Sequence, residues 1–257
     1  MASPRLRLLI GYLYPDSMNT YGDRGNIITL ARRSLWRGIE VDVREIRSGE
    51  PLPPDLDLIF VGGGQDKEQK LVCDDFQKVK GEAIKEAVEG GAALLSICGG
   101  YQLLGHYFRT GESGTLPGIS LFDAYTVAGS RRCIGDVIVE SEIGGQKRTL
   151  VGFENHSGQT FLGPGARPLG RVLFGFGNNG NDGFEGAVYK GAYGCYLHGS
   201  LLPKNPWFAD HLIALALRHQ YGEDVPLRPL DDEVEVRAHQ AVIERIRRRG
   251  KIKSGAT

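Results

Sequence analysis

The sequence has no excess of charge of either sign. Its 31 Lys and Arg residues are balanced by 31 Asp and Glu residues, so the formal net charge at pH 7 is zero. A protein of this composition has no electrostatic basis for choosing nucleic acid or an acidic membrane as its main partner. Long apolar runs are also missing. The run at residues 6–14 is interrupted by Arg7 and Gly11, which predicts a strand rather than a signal peptide. We therefore expect a cytoplasmic protein without membrane insertion.

Cysteine is scarce and scattered. The chain has four, at Cys73, Cys98, Cys133 and Cys195, and no two form a CxxC pair. A zinc site or a disulfide framework is therefore not expected, and we predict no metal and no cofactor. A phosphate-binding loop of the GxxxxGK[ST] type is absent as well. Any ATP-dependent chemistry connected with this chain would accordingly lie on another polypeptide.

The most informative stretch surrounds Cys98. An apolar run, residues 92–97, ends at this cysteine, and Gly99, Gly100 and an amphipathic segment follow at once. This pattern is typical of a buried parallel strand that turns sharply into a helix. The thiol would then lie at the ligand-binding end of the sheet, where helix amides favour a thiolate and an oxyanion. The alternative is a small buried cysteine that fills a gap in the core.

Strands and helices alternate through the first 108 residues. The pattern predicts strands at 6–13, 39–46 and 56–61, with a helix at 24–37 for which Asp23 is a plausible N-cap. Such alternation favours an α/β fold with a doubly wound, mostly parallel sheet flanked by helices. The predicted apolar helix faces are Ile27, Ala31 and Leu35, then Phe76, Val79, Ala83 and Ala87.

The second half of the chain differs in glycine content and in the length of its predicted strands. From about residue 111 glycines become frequent and the predicted strands are short, at 124–127, 136–140, 149–154 and 172–175. This half is expected to be more antiparallel and richer in loops. A helix at 206–221 follows. We predict one main domain over residues 1–225 and a C-terminal helical extension over 226–257, which packs on the same domain or on a partner.

Five motifs occur in an order that is known from one family. They are residues 21–27 (YGDRGNI), 62–69 (GGGQDKEQ), 132–136 (RCIGD), 152–156 (GFENH) and 196–199 (YLHG), and the elbow at 98–102 (CGGYQ) lies between the second and the third. With them the chain resembles the class I, or triad, glutamine amidotransferases, in the cobyric-acid-synthase-like branch. It is particularly similar to the glutaminase subunits of lipid II isoglutaminyl synthases. The resemblance runs nearly from end to end.

The resemblance implies a mechanism and a set of site residues. Cys98 would be the nucleophile that forms a thioester with glutamine, and His198 would exchange protons with it. The substrate-binding residues would be Arg132 for the α-carboxylate, the backbone of Gly63, Gly64 and Gly99 for the oxyanion, and Gln102. Arg131 is the alternative to Arg132. Gln102 would hydrogen-bond the substrate or pack the elbow helix, and His156 would line the mouth of the site or have a structural role.

Two departures from the class pattern concern the elbow and the triad. Ser96 stands where the general elbow has glycine, and Ser200 stands where the wider class has a glutamate two residues after the histidine. The third triad carboxylate is therefore missing from its usual place. The resemblance implies that a Mur-ligase-like (MurT-type) partner, in a heterodimer, supplies it. That partner would use the ammonia to amidate the α-carboxyl of D-glutamate in lipid II during peptidoglycan biosynthesis.

Three other functions remain open. The first is the amidotransferase part of a cobyrinic or cobyric acid synthase, although those chains usually carry an ATP-dependent domain. The second is a stand-alone γ-glutamyl hydrolase or cysteine peptidase of the same fold, which would act without a partner. The third is a binding module without catalysis, against which the retention of Cys98, His198 and both glycine motifs argues.

Overall fold

The computed structural model describes residues 6–111 and 114–249. The first strands in chain order are β1 (Arg7–Leu13), β2 (Glu40–Ile46), β3 (Leu58–Val61), β4 (Ala93–Ile97), β5 (Tyr107–Arg109) and β6 (Thr115–Pro117). They are followed by β7 (Ala124–Ile143), β8 (Gln146–Leu162), β9 (Gly170–Phe174), β10 (Phe184–Glu185), β11 (Ala187–Tyr189) and β12 (Ala192–Cys195). The α-helices are α1 (Arg24–Trp36), α2 (Asp66–Asp75), α3 (Gly81–Glu89), α4 (Gly99–Leu104), α5 (Pro206–Tyr221) and α6 (Glu233–Arg248).

The central sheet has the strand order β11-β12-β4-β3-β1-β2. All neighbouring pairs are parallel except β11 with β12. Helices α1 and α5 bury apolar side chains such as Leu30 and Leu212 on one face of the sheet. Helices α2, α3 and α4 cover the other face with residues such as Val72, Ile84 and Leu104. The predicted doubly wound α/β fold is confirmed.

The second sheet has the order β10-β9-β7-β5-β6, with β8 also paired to β7. Its antiparallel character was expected, and the short strand predicted at 172–175 corresponds to β9, but the prediction of separate short strands at 124–127, 136–140 and 149–154 was wrong. The structure has instead two long strands, β7 of 20 residues and β8 of 17, joined by a tight turn. A shift of register between Ala128 and Cys133 absorbs the glycine-containing segment as an irregularity without ending the strand.

Two of the predicted helix faces differ from the observed ones. Leu35 is 49% exposed, and the buried side of α1 includes Arg33 instead. This guanidinium is accommodated because Asp210 and Asp232 both pair with it, at 2.7 and 2.5 Å. Val79 is 44% exposed because a π-helical turn at Phe76–Lys80 interrupts the helical period between α2 and α3.

Helix α6 packs against the second sheet of the same chain. Val242, Ile243 and Ile246 form a small apolar cluster with Ile138 and Val151. The domain boundary near residue 225 stays a prediction, and residues 250–257 of the predicted extension lie outside the described residues. Within the described ranges, no helix combines the length and the apolar character that crossing a bilayer requires.

Candidate active site

The candidate site lies at the carboxyl edge of the central sheet. Strands β12, β4, β3 and β1 are neighbours there, so the segments that follow them converge on one place. Cys98 follows β4, the loop 62–64 follows β3, and His198 comes three residues after β12. Asp23 lies just before α1, in the connection that leaves β1. The fold thus brings together residues that are up to 175 positions apart in sequence.

Cys98 occupies the sharp turn predicted from the sequence. Its backbone has φ 50° and ψ −105°, a conformation that side-chain-bearing residues rarely adopt. The strain is maintained because its N–H donates to the carbonyl of Cys195 at 2.8 Å, and its carbonyl accepts from the N–H of Gln102 at 2.9 Å. The thiol is partly exposed, whereas Cys73, Cys133 and Cys195 are buried. Such a turn presents a nucleophile above the sheet edge.

His198 is fully buried beside Cys98. Its main chain is held by a reciprocal pair of hydrogen bonds with Phe153, of 2.7 and 3.1 Å. The Nδ1 atom lies 3.2 Å from Oδ1 of Asp23. Within the described part of the chain Nε2 makes no hydrogen bond, so this nitrogen is free for proton exchange with the sulfur. Burial alone would lower the pKa of His198, but the Cys98 thiolate and the Asp23 carboxylate outweigh it and raise the pKa to about 10.

Asp23 has a different role from the helix cap expected of it. Its side chain makes no capping hydrogen bond to α1. The carboxylate is fully buried and points inward, where Oδ1 faces His198 and Oδ2 accepts the N–H of Gly63 at 2.7 Å. An inward orientation is favoured because a buried imidazole and a buried amide both need a polar partner. The expectation that a partner subunit supplies the orienting carboxylate stays a prediction, and this chain already places a carboxylate at that position.

The glycines of the two motifs are required by close approaches. A Cβ atom on Gly63 would lie 2.6 Å from Cε1 of His198, and one on Gly99 would lie 2.6 Å from the carbonyl oxygen of Gly64. Both positions therefore exclude a side chain unless the neighbouring atoms move. The N–H of Gly63 is already used by Asp23. Of the two loop glycines, Gly64 is therefore the candidate whose N–H can bind the oxyanion. The second candidate donor is the N–H of Gly99 at the start of α4.

A cavity of about 530 Å³ opens above the sulfur, and its volume is sufficient for an amino acid. Arg132 reaches it from the irregular segment of β7 and is exposed. Its Nε donates to Oδ1 of Asn155 at 2.6 Å. The lining includes Tyr21, Gly64, Cys98, Arg132, Asn155 and His198. The structure therefore places Arg132 in the same cavity as Cys98, and its role in binding the substrate stays a prediction.

Gln102 is buried under the elbow and does not need a substrate to satisfy its amide. Its Oε1 accepts from Gln69 at 2.9 Å, and its Nε2 donates to the hydroxyl of Tyr196 at 3.0 Å. That hydroxyl lies in turn 2.6 Å from Oγ1 of Thr160. Of the two roles considered for Gln102, these contacts favour packing of the elbow helix.

Two weaker candidates are also placed. The Arg131 guanidinium lies over the ring of Phe176 at 4.4 Å and is not among the residues lining the cavity, which favours Arg132 for the substrate carboxylate. His156 lines the cavity but is buried, stacks on Tyr196 at 3.7 Å and is tied through Nδ1 to the carbonyl of Gly158 at 2.7 Å. These contacts give His156 a structural role.

Sequence reasoning missed three residues of the site. Asp23, Tyr21 and Asn155 all lie inside the motifs 21–27 and 152–156, but the sequence around a polar residue does not show which other segment its side chain will contact. The ring of Tyr21 meets that of His198 edge-on, with centroids 5.1 Å apart. The hydroxyl of Tyr21 accepts from Nδ2 of Asn155 at 2.5 Å. Membership in these two motifs was the signal that could have pointed to the three residues.

Comparison with known proteins agrees with this geometry. The model of the CobB/CobQ-like glutamine amidotransferase domain matches residues 9–206. Subunit GatD of the glutamine-hydrolyzing lipid II isoglutaminyl synthase of Staphylococcus aureus (strain N315) is 42% identical over 247 residues, which cover 95% of this chain and 98% of that protein. Cobyric acid synthase of Pelotomaculum thermopropionicum is 34% identical, but over 62% of this chain and 32% of its own length.

Among solved structures, PurLQS from Thermotoga maritima superposes with a TM-score of 0.55 at 14% sequence identity, covering 85% of this chain and 98% of that chain. At this level of identity the similarity concerns the fold alone. It supports the arrangement of sheet and helices described above.

Proposed function

Since this chain belongs to the CobB/CobQ-like glutamine amidotransferase family, we propose that it is a glutaminase subunit that hydrolyses L-glutamine to L-glutamate and ammonia through a thioester on Cys98. The observation that carries this proposal is that Cys98 and His198 line one cavity, with the buried carboxylate of Asp23 against the imidazole of His198. The cavity also contains a guanidinium that can bind a carboxylate.

The first half of the reaction uses the proton that His198 holds. His198 deprotonates Cys98 in this proposal, and its raised pKa favours the imidazolium form at neutral pH. The thiolate attacks the carboxamide carbon of glutamine, and the carbonyl oxygen becomes an oxyanion near the N–H groups of Gly64 and Gly99. One such donor contributes about 3 to 4 kcal/mol to the transition state. The imidazolium then gives its proton to the nitrogen, and the C–N bond breaks to release ammonia.

The second half returns the enzyme to its starting state. Neutral His198 takes a proton from water, and the resulting hydroxide attacks the thioester carbon. The C–S bond breaks, glutamate leaves and the thiolate is restored. Asp23 keeps Nδ1 of His198 occupied throughout, so Nε2 is the nitrogen that exchanges protons, and its charge stabilises the imidazolium.

The fate of the ammonia determines the biological role that we propose. Free ammonia is protonated in water and lost as a nucleophile, so a glutaminase subunit needs a synthetase that receives it. The GatD relative at 42% identity is named as a subunit of lipid II isoglutaminyl synthase. By this relationship we infer a cytoplasmic heterodimer with a Mur-ligase-like (MurT-type) subunit. That partner would activate the α-carboxyl of D-glutamate in lipid II with ATP and convert it to D-isoglutamine for peptidoglycan biosynthesis.

Coverage of the relatives argues against one of the two other enzymatic alternatives, and an activity assay is needed to separate the second. The cobyric acid synthase relative matches this chain over only 32% of its own length, whereas the GatD relative matches over 98%. A stand-alone γ-glutamyl hydrolase would use the same cysteine and histidine, so geometry alone does not separate it from a glutaminase. Its distinguishing property is full activity on γ-glutamyl peptides without a partner.

The proposal is tested by measuring glutamate release from glutamine, with and without the co-expressed Mur-ligase-like protein. Cys98→Ala should abolish glutamine-dependent amidation and leave amidation from added ammonium salts intact. Cys73→Ala is the matched control, because it removes a buried sulfur outside the cavity. Intact glutamine turnover in Cys98→Ala would refute the nucleophile, and full activity on γ-glutamyl peptides without the partner would establish the hydrolase instead.

A further inference from the structure

Arg132 is held by only one edge of its guanidinium. Its Nε donates to the side-chain oxygen of Asn155 at 2.6 Å. Among residues 6–111 and 114–249, no carboxylate pairs with this arginine, and its two terminal nitrogens make no hydrogen bond with any of these residues. The terminal edge is therefore available for the forked contact that a guanidinium makes with a carboxylate.

Asn155 is itself fixed from its other side. Its Nδ2 donates to the hydroxyl of Tyr21 at 2.5 Å, so the amide oxygen is directed to Arg132 and the amide nitrogen to Tyr21. Tyr21 has φ 56° and its ring packs edge-on against His198. A continuous set of contacts thus connects Arg132 with the catalytic histidine through Asn155 and Tyr21.

The chemical type of Asn155 matters as much as its position. A carboxylate here would also accept from Nε, but it would neutralise the guanidinium and compete with the substrate for it. A neutral amide directs the guanidinium and leaves its positive charge unpaired. We propose that Asn155, braced by Tyr21, is a positioning residue that aims Arg132 at the α-carboxylate of glutamine and so selects substrates that carry one. This inference rests on the proposed function.

The test compares two reagents that alkylate Cys98 in the full-length chain. One is a chloroketone analogue of glutamine, which carries the α-carboxylate, and the other is iodoacetamide, which does not. Asn155→Asp should slow labelling by the chloroketone about tenfold or more, since a charge-assisted contact is lost, while labelling by iodoacetamide changes less than about twofold. Tyr21→Phe removes only the hydroxyl. It should lower the ratio of the chloroketone rate to the iodoacetamide rate in the same direction as Asn155→Asp, but by a smaller factor.

The matched control is Gln146→Glu, which adds the same charge at the opposite, exposed end of β8 and should leave both rates unchanged. In glutamine turnover Asn155→Asp should raise KM by a similar factor with little change in kcat. Equal slowing by both reagents, or an unchanged ratio in Asn155→Asp, would overturn the positioning role. A wild-type chain that does not prefer the chloroketone would overturn the proposed function, and this inference with it.

Discussion

The substitution Asp23→Asn tests the centre of the site most directly. It preserves the shape of the side chain but replaces a fully buried carboxylate with a neutral amide. An amide has one oxygen, so either His198 or the N–H of Gly63 would face an NH₂ group instead of an acceptor. We expect a folded protein with a much slower reaction of Cys98, because the imidazolium loses the charge that stabilises it.

The expected loss of rate in Asp23→Asn follows from the separation between the Asp23 carboxylate and the His198 imidazolium. Opposite charges about 4 Å apart interact by about 4 kcal/mol at an effective dielectric constant of about 20. Since each 1.36 kcal/mol corresponds to about a factor of ten in rate, complete loss of this interaction would slow turnover about 10³-fold. The amide retains part of the hydrogen bonding, so we expect a decrease of about 10² to 10³-fold in kcat.

The pH dependence has a definite sign. The pKa of His198 is raised above 6.5 to about 10 in the folded protein, so the imidazolium persists up to an alkaline limit near that value. Removing the Asp23 carboxylate lowers the pKa of His198, and the imidazolium then loses its proton at lower pH. The alkaline limit for glutamate release, which needs the imidazolium proton for the leaving nitrogen, should therefore move to lower pH in Asp23→Asn.

The assay is the rate of Cys98 alkylation and of glutamate release between about pH 6 and 11, with thermal unfolding as the check on folding. Asp57→Asn is the matched control, because Asp57 is also buried and accepts a backbone N–H, from Leu9, but precedes β3 at the opposite edge of the sheet. If Asp23→Asn kept wild-type rates and the same alkaline limit, Asp23 would not act on His198. A carboxylate from the partner subunit would then be required.

Two further predictions concern packing and pH. Gly63→Ala should slow glutamine turnover by about tenfold or more, because the added Cβ would displace the ring of His198. The control is Gly191→Ala, whose Cβ would make only ordinary contacts from 3.4 Å and which should leave turnover nearly unchanged. Burial raises the pKa of Glu185 from 4.5 to about 8, so the folded state loses stability as pH rises between these values. Glu185→Gln should flatten this slope in urea unfolding, and an unchanged slope would contradict the assignment.

The sequence was a good guide to the central sheet because its signals there are local. Buried parallel strands appear as short apolar runs, and the turn at Cys98 is marked by two glycines next to a cysteine. The predictions were wrong where tertiary contacts override a local pattern. Arg33 is buried because Asp210 and Asp232, far along the chain, pair with it. Similarly, β7 continues past Gly129 because β8 pairs with it both before and after this irregularity.

The same distinction applies to the candidate site. Cys98 and His198 could be identified from motifs, and the topology alone brings them to one edge, because β12 and β4 are neighbours. Asp23 could not be assigned in this way. A polar residue before a helix is ordinarily its N-cap, and only the buried partners of this carboxylate reveal its other orientation.

The position of Asp23 has a mechanical consequence that a glutamate after the histidine would not have. A carboxylate at position 200 would follow His198 on the same segment, whereas Asp23 comes from a different connection and holds two elements at once. One oxygen faces the imidazole and the other holds the N–H of Gly63, next to the candidate oxyanion donor Gly64. The proposed proton-transfer group and the candidate oxyanion loop are therefore both bound to the same carboxylate. A displacement of the segment containing Asp23 must alter both functions together, so the acid–base and electrostatic contributions of this site are coupled by its geometry.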